Sequence, residues 1–254
     1  MIDTHAHLDG CEAPPDEVLV RARAAGVERV ITVGTGVDSS RAALAIAETD
    51  DGVFAALGIH PHQAGSAEAG RLDELAELLR HPRAVAVGET GLDFYRDWAR
   101  DDEQRRLFGA HLELAAELDK AVVIHNRDAD GETADLLTDF EGRVILHCFS
   151  SPPFLQTALE RGYYVSFAGN VTFPKAGELR EAARRVPAER ILAETDSPYL
   201  APVPRRGRPN EPANVLHTVT ALAEARGEDP AELGARIDAN ATAAFSLPVP
   251  LPAP

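Results

Sequence analysis

Cysteine is scarce in this sequence. Its two residues, Cys11 and Cys148, are too few for a disulfide framework in 254 residues and fit a reducing compartment. Both are expected to be small buried or half-buried side chains. No window approaches the roughly 20 apolar residues that a membrane-spanning helix requires, and MIDTHAHLDG is not a basic segment leading into an apolar one. The expectation is a cytoplasmic protein that does not enter a membrane. Positive charge is also short: 25 Lys and Arg stand against 41 Asp and Glu, a formal net charge of −16 that opposes broad attraction to nucleic acid or anionic lipid. Bound cations would alter that balance locally, since two divalent ions add four charges that the global count leaves out.

The rest of the composition is that of an ordinary soluble domain, 44% hydrophobic and 26% charged. The length suits one eight-fold α/β barrel with a large core. Short Val/Ile/Ala-rich runs recur, each followed by a polar turn and a stretch of helical periodicity, which predicts repeated β-α units. Eight are found, near 1–4, 29–33, 53–58, 84–88, 121–124, 143–146, 163–167 and 190–193. Their lack of strict alternation fits strands covered on both faces. Apolar spacing and caps predict helices over 16–25, 71–79, 101–118, 212–226 and 230–241. The fold class expected is therefore α/β, a single-domain TIM-type (β/α)8 barrel over residues 1–246. Five prolines in 197–212 predict a structured loop over one face, and 247–254 reads as a proline-rich, flexible tail.

His5 and His7 close the first predicted strand, and side chains two apart on a strand share a side, so both imidazoles can reach one ion. Alone, an HxH pair is weak evidence, because histidines also serve as ordinary polar or core residues. Glu89, His125, His147 and Asp196 also fall at or just past the carboxyl ends of predicted strands four, five, six and eight, which converge in a barrel. Six such donors at one mouth would hold two divalent cations, Zn²⁺, Mn²⁺ or Mg²⁺. Glu89 comes from the middle of the ligand-bearing strands and is the expected bridge between them. Two cations would polarise a substrate oxygen and acidify a water. Asp196 would both bind the first cation and accept a proton from the attacking water.

These residues lie in segments that resemble the TatD family of metal-dependent deoxyribonucleases, within the amidohydrolase-like barrels: MIDTHAHLD, GIHPH at 58–62, VGETGLDFYR at 87–96, VIHNRDA at 123–129, LHCFSS at 146–151 and ILAETDSPYLAP at 191–202. The loop RRGRPNEP at 205–212 matches less closely. The resemblance implies one metal on His5, His7, Glu89 and Asp196 and another on Glu89, His125 and His147. It also implies 3′→5′ exonuclease action on DNA, with some relatives acting on RNA or on D-aminoacyl-tRNA. Ala121 stands where members often have Pro, and Pro209 interrupts the basic-Asn-Glu-Pro run before Asn210.

Around the centre, His60 and His62 follow strand three and are placed to contact a phosphate or an extra ion, against a purely structural role. Arg127 is placed to fork onto a phosphate, or else to pair with Asp128 or Asp130. Tyr95, Arg96 and Trp98 follow Glu89 in an exposed-looking loop, placed to stack on a nucleobase or sugar or else simply to pack within the loop, and Asn210 is counted with these substrate-facing residues. His81, His111 and His217 fall on helices or helix ends and read as structural or surface residues. The expected partner is a DNA end, single-stranded or frayed. No obligate protein partner is evident, and the resemblance together with the absence of heptads favours a monomer. Hydrolysis of an ester or amide, as in a D-aminoacyl-tRNA or a cyclic amide, is the second reading. Many carbonyl-directed barrels of this kind bridge their metals with a carbamylated lysine, but here a glutamate holds that place and neither lysine, Lys120 or Lys175, falls at the mouth. A catalytically idle binding barrel is the third, and would require lost ligands.

Overall fold

The computed structural model describes residues 1–248. Eight parallel strands follow in chain order around one sheet: β1 (Ile2–Ala6), β2 (Arg29–Val33), β3 (Val53–Leu57), β4 (Ala84–Asp93), β5 (Ala121–Arg127), β6 (Val144–Leu146), β7 (Tyr164–Phe167) and β8 (Ile191–Ala193). The sheet closes where the chain beyond β8 pairs with β1. Ala6 bridges Ser197 in parallel, Asp196 N–H donates to the His5 carbonyl at 2.9 Å, and His7 N–H donates to the Ser197 carbonyl at 2.7 Å. This is the TIM-type (β/α)8 barrel that the eight runs predict.

Nine helices among the described residues surround it: α1 (Pro15–Ala24), α2 (Val37–Thr49), α3 (Leu72–Leu79), α4 (Asp101–Glu117), α5 (Asp130–Leu136), α6 (Leu155–Glu160), α7 (Gly177–Arg185), α8 (Val215–Arg226) and α9 (Pro230–Ala244). Their ends obey local chemistry. The Asp229 carboxylate caps α9 by accepting from Ala231 and Glu232 N–H at 2.8 and 3.1 Å, with Pro230 in the first turn, where its missing N–H costs nothing. α8 stops at Gly227, whose φ of +69° is the left-handed cap that glycine adopts freely. α4 turns Gln104, Leu107, Phe108, His111, Leu112 and Ala115 inward at helical spacing. His111 is fully buried there: its Nδ1–H donates to the Leu107 carbonyl at 2.8 Å and its Nε2 accepts from Ile59 N–H at 3.1 Å. Burial pushes its pKa down to about 4, against a weaker upward pull from Leu107, so the ring is a neutral core residue.

Two strands run further than the apolar runs suggest. β4 continues to Asp93 and β5 to Arg127, paired from Thr90↔Ile124 through Asp93↔Arg127. Glu89 and His125 thus lie within strands, not at their ends. Polar residues extend these strands because at the mouth they face the site instead of apolar neighbours. At the other limit of the domain, Leu247 is buried in the core and its N–H reaches the Thr242 carbonyl at 3.0 Å. The remainder of the expected tail, residues 249–254, lies outside the described residues. No helix among the described residues is long and apolar enough to cross a membrane.

Candidate metal centre

Two bulges aim the first donors. On β1, Asp3 pairs with Val30 and Ala6 with Thr32, so Thr4 and His5 together oppose the single residue Ile31. On β4, Val87 pairs with Val122 and Thr90 with Ile124, so Gly88 and Glu89 together oppose Val123. An extra residue in one strand bends it and redirects the side chain there. Gly88 is required: its φ is +143°, and a Cβ at that position would lie 2.5 Å from the Val123 carbonyl oxygen. Asp196 sits in the left-handed region at φ +54°, which aspartate tolerates better than most residues.

The Glu89 carboxylate is buried and divided between two groups. Its Oε2 lies 3.5 Å from His5 Nε2 and 3.8 Å from His7 Nε2, while Asp196 Oδ1 lies 3.8 and 3.5 Å from the same two nitrogens. The two nitrogens are 3.3 Å apart. The other oxygen, Oε1, lies 3.0 Å from His125 Nδ1, 3.3 Å from His147 Nε2 and 3.2 Å from His60 Nε2. Donors about 2.0–2.1 Å from one cation in a tetrahedral site lie about 3.4 Å from each other, so both groups have the spacing of ligand sets. The ring hydrogen bonds agree. His7 Nδ1 faces the Val33 carbonyl at 3.3 Å and His147 Nδ1 faces Glu194 Oε1 at 2.7 Å, which puts a proton on Nδ1 of each ring and turns each Nε2 toward the other donors. His60 differs, since its Nδ1 accepts from His62 N–H at 3.1 Å and its proton therefore sits on Nε2, donating to Glu89. His5 Nδ1 is buried with no hydrogen-bond partner among the described residues.

Charge is arranged to match. Burial alone would raise the Glu89 pKa, but His60, His147 and His125 outweigh it and hold the carboxyl well below its ordinary range. Burial also opposes ionisation of Asp196, where His7, His147 and His5 prevail and lower it. His147 is pushed down by burial and carried well above its usual value by Glu194 and Glu89. Cys148, beside His147, is driven well above the thiol range by burial and by Asp196 and Glu194, which makes it an inert thiol.

Three carboxylates that the sequence reading passed over support these donors. Glu194 is buried, and besides His147 it accepts from Cys148 N–H at 2.8 Å and from Ser166 Oγ at 2.6 Å. Asp93 Oδ2 meets His125 Nε2 at 3.0 Å and His62 Nε2 at 2.7 Å. Asp3, with its pKa raised to about 8 by burial, ties β1 to Thr195 through the backbone N–H at 2.9 Å and the hydroxyl at 2.5 Å. All three stand at even spacing from a donor, 3 with 5, 93 with 89 and 194 with 196. The rule that pairs His5 with His7 would have found them.

The substrate-facing residues divide. His60 and His62 lie in the cluster, and Arg127 pairs with neither Asp128 nor Asp130 but stacks its guanidinium 3.8 Å over the Tyr95 ring. Tyr95, Arg96 and Trp98 are exposed beside it. Asn210 is buried: its amide donates to the Thr195 and Tyr199 carbonyls at 3.0 and 2.5 Å, and its oxygen accepts from Glu211 N–H and Asn214, so it fastens the loop after β8. A cavity of ≈ 550 Å³ opens to one side, lined by Cys11, Arg21, Arg205, Arg208 and His217 among others. The donor geometry, not this cavity, marks the reactive centre. Lys120 donates to the Ala84 carbonyl at the opposite end of the strands.

A sequence model described as TatD related DNase matches residues 2–246. A protein of Mycobacterium tuberculosis named as an uncharacterized metal-dependent hydrolase, TatD, is 42% identical over 262 residues, 97% of this chain and 98% of its own. One from Klebsiella pneumoniae, named 3′-5′ ssDNA/RNA exonuclease TatD, is 39% identical over 92% of each chain. The crystal structure of YJJV, a TatD homologue from Escherichia coli, superposes with a TM-score of 0.92 at 31% identity, covering 98% of both chains. Fold, donor set and relatives define a metal-dependent hydrolase on an amidohydrolase-like barrel. Within that class, the chain belongs to the TatD family.

Proposed function

We propose that this hydrolase removes nucleotides from the 3′ ends of single-stranded or frayed DNA, working as a cytoplasmic monomer with two divalent cations, Mg²⁺, Mn²⁺ or Zn²⁺. The observation that carries the reading is the division of the Glu89 carboxylate, one oxygen toward His5 and His7 and the other toward His125 and His147. His5, His7, Glu89 and Asp196 would hold one cation, and Glu89, His125 and His147 the other. When bound, such ions supply Lewis acidity at a phosphoryl oxygen and lower the pKa of water.

The chain's own residues do the rest. Asp196, kept ionised by His7, His147 and His5, takes the proton of the attacking water. Glu194 and the Val33 carbonyl hold His147 and His7 in the tautomer that presents Nε2. His62 and Arg127 stand beside the centre to meet the non-reacting phosphate oxygens. Two features support phosphate over a carbonyl substrate: a glutamate, not a modified lysine, sits between the donor groups, and relatives 38–39% identical to this chain are named as 3′-5′ ssDNA/RNA exonucleases. The test is hydrolysis of a labelled single-stranded oligonucleotide by metal-stripped protein refilled with each ion, beside Glu89→Ala. Stepwise loss from the 3′ end, absent in the variant, is expected. No cleavage by protein that binds both ions would overturn it in favour of ester or amide substrates.

A further inference from the structure

Among the described residues, five large apolar side chains are exposed, and three of them, Tyr95 (56%), Trp98 (64%) and Tyr199 (62%), stand on two loops at the metal centre. Tyr95 and Trp98 follow β4, which carries Glu89, and Tyr199 lies three residues past Asp196. The Trp98 ring meets His62 edge-on, centroids 4.3 Å apart at 74°, and the Tyr199 ring meets His7 at 5.8 Å and 71°. His7 belongs to the donor group around Asp196, and His62 to the group around Asp93 and His125. Trp98 and Tyr199 therefore stand at opposite ends of the histidine cluster, each ring more than half exposed.

Both loops are held in place. Asp93 Oδ1 accepts from Tyr95 and Arg96 N–H, each at 3.0 Å, while Gln104 holds the Asp93 backbone and the Ala99 carbonyl. Tyr199 N–H donates to the Asp196 carbonyl at 2.8 Å, and its own carbonyl is held by Asn210. Arg96 lies 5.2 Å from the Tyr95 ring and 5.5 Å from that of Trp98. Aromatic rings left largely in water on fastened loops beside a site, with guanidinium groups among them, are the elements of a base-stacking platform. The net charge of −16 opposes broad attraction to a strand's phosphates.

We propose that Trp98 and Tyr199 are stacking posts that each take one unpaired base, on either side of the phosphate at the metal centre, so that the enzyme reads single-strandedness through base stacking. This rests on the nucleic-acid reading above and names what in the substrate is recognised. A base inside a duplex is already stacked and cannot lie on either ring without first being released.

Trp98 is the chain's one tryptophan, so its emission reports on this post alone. The metal-loaded protein is titrated with a short oligothymidylate whose 3′ linkages are nuclease-resistant phosphorothioates, with the same strand bearing abasic terminal residues, and with a blunt duplex. Binding is followed in parallel by anisotropy of a 5′ dye. Quenching is expected with the first strand and not with the other two. In cleavage assays, Trp98→Ala and Tyr199→Ala should each raise KM for the base-bearing strand roughly 5- to 150-fold. Trp98→Phe and Tyr199→Phe should restore it, and the Ala penalties should vanish on the abasic strand. Binding and cleavage with unmoved Trp98 emission, or equal penalties on abasic and base-bearing strands, would overturn stacking while leaving the nuclease reading intact. Neither binding nor cleavage of any strand would overturn both.

Discussion

Glu194 is not one of the six proposed donors, yet the geometry makes it the residue that prepares His147. Its Oε1 accepts both His147 Nδ1–H at 2.7 Å and Cys148 N–H at 2.8 Å, and its Oε2 takes the Ser166 hydroxyl at 2.6 Å. Glu194→Gln is nearly isosteric. The amide oxygen can keep both N–H donors, and the new NH2 group faces Ser166, whose hydroxyl can turn toward Thr4 Oγ1 at 3.2 Å. What is lost is the negative charge behind the imidazole. Removing such a partner typically costs about 10- to 100-fold in metal affinity or activity, about 1.4 to 2.7 kcal/mol. Glu194→Ala should be worse and also less stable, because it strands buried donors at about 1–3 kcal/mol each. Competition with a chromogenic zinc chelator measures affinity, and thermal unfolding followed by circular dichroism tests the fold. The expected result for Glu194→Gln is weakened metal binding with a melting temperature within a few degrees of the parent. Unchanged metal affinity in a folded Glu194→Gln protein would refute the role given to the negative charge behind His147.

Gly88→Ala should lower stability by about 2–4 kcal/mol, because alanine at φ +143° is strained and its methyl would meet the Val123 carbonyl; an unchanged urea midpoint would contradict the bulge reading. Glu89→Gln should abolish turnover while leaving the barrel folded, checked by assay with each cation and by circular dichroism. Asp93→Asn weakens the hold on His125 and His62 together, and a loss of about 10-fold or more in kcat/KM is expected. His111 gives the pH dependence. Its folded pKa, about 4, lies below the unfolded 6.5, so only the unfolded chain takes up a proton between the two values. Its stabilising contribution is full above pH 6.5 and is lost as pH falls toward 4, on the order of 3 kcal/mol in all. Urea unfolding of parent and His111→Gln at pH 7 and pH 5 should show a steeper acid loss in the parent.

The barrel was legible in the linear chain because the physics that writes it is local. Strands covered on both faces must be runs of Val, Ile and Ala, helices must repeat apolar residues every three or four positions, and both patterns survive in one dimension. The six proposed donors were legible for a related reason: they follow the apolar runs in the sequence, and a parallel barrel brings the ends of those runs to one mouth. The rest depended on contacts between residues far apart in the chain. The bulges at His5 and Glu89 appear only once β1 and β4 are laid against β2 and β5, and they decide which way the side chains turn. The carboxylates of Glu194 and Asp93 could be recognised as supports only when they met His147 and His125, 47 and 32 residues away in the chain. Asn210, expected against substrate, has its hydrogen bonds to the chain in the structure, and Arg127 took the Tyr95 ring over its neighbouring aspartates. A hydrogen bond has one length and one direction, and neither is written along the chain; only folding decides which of several possible partners stands at 3 Å.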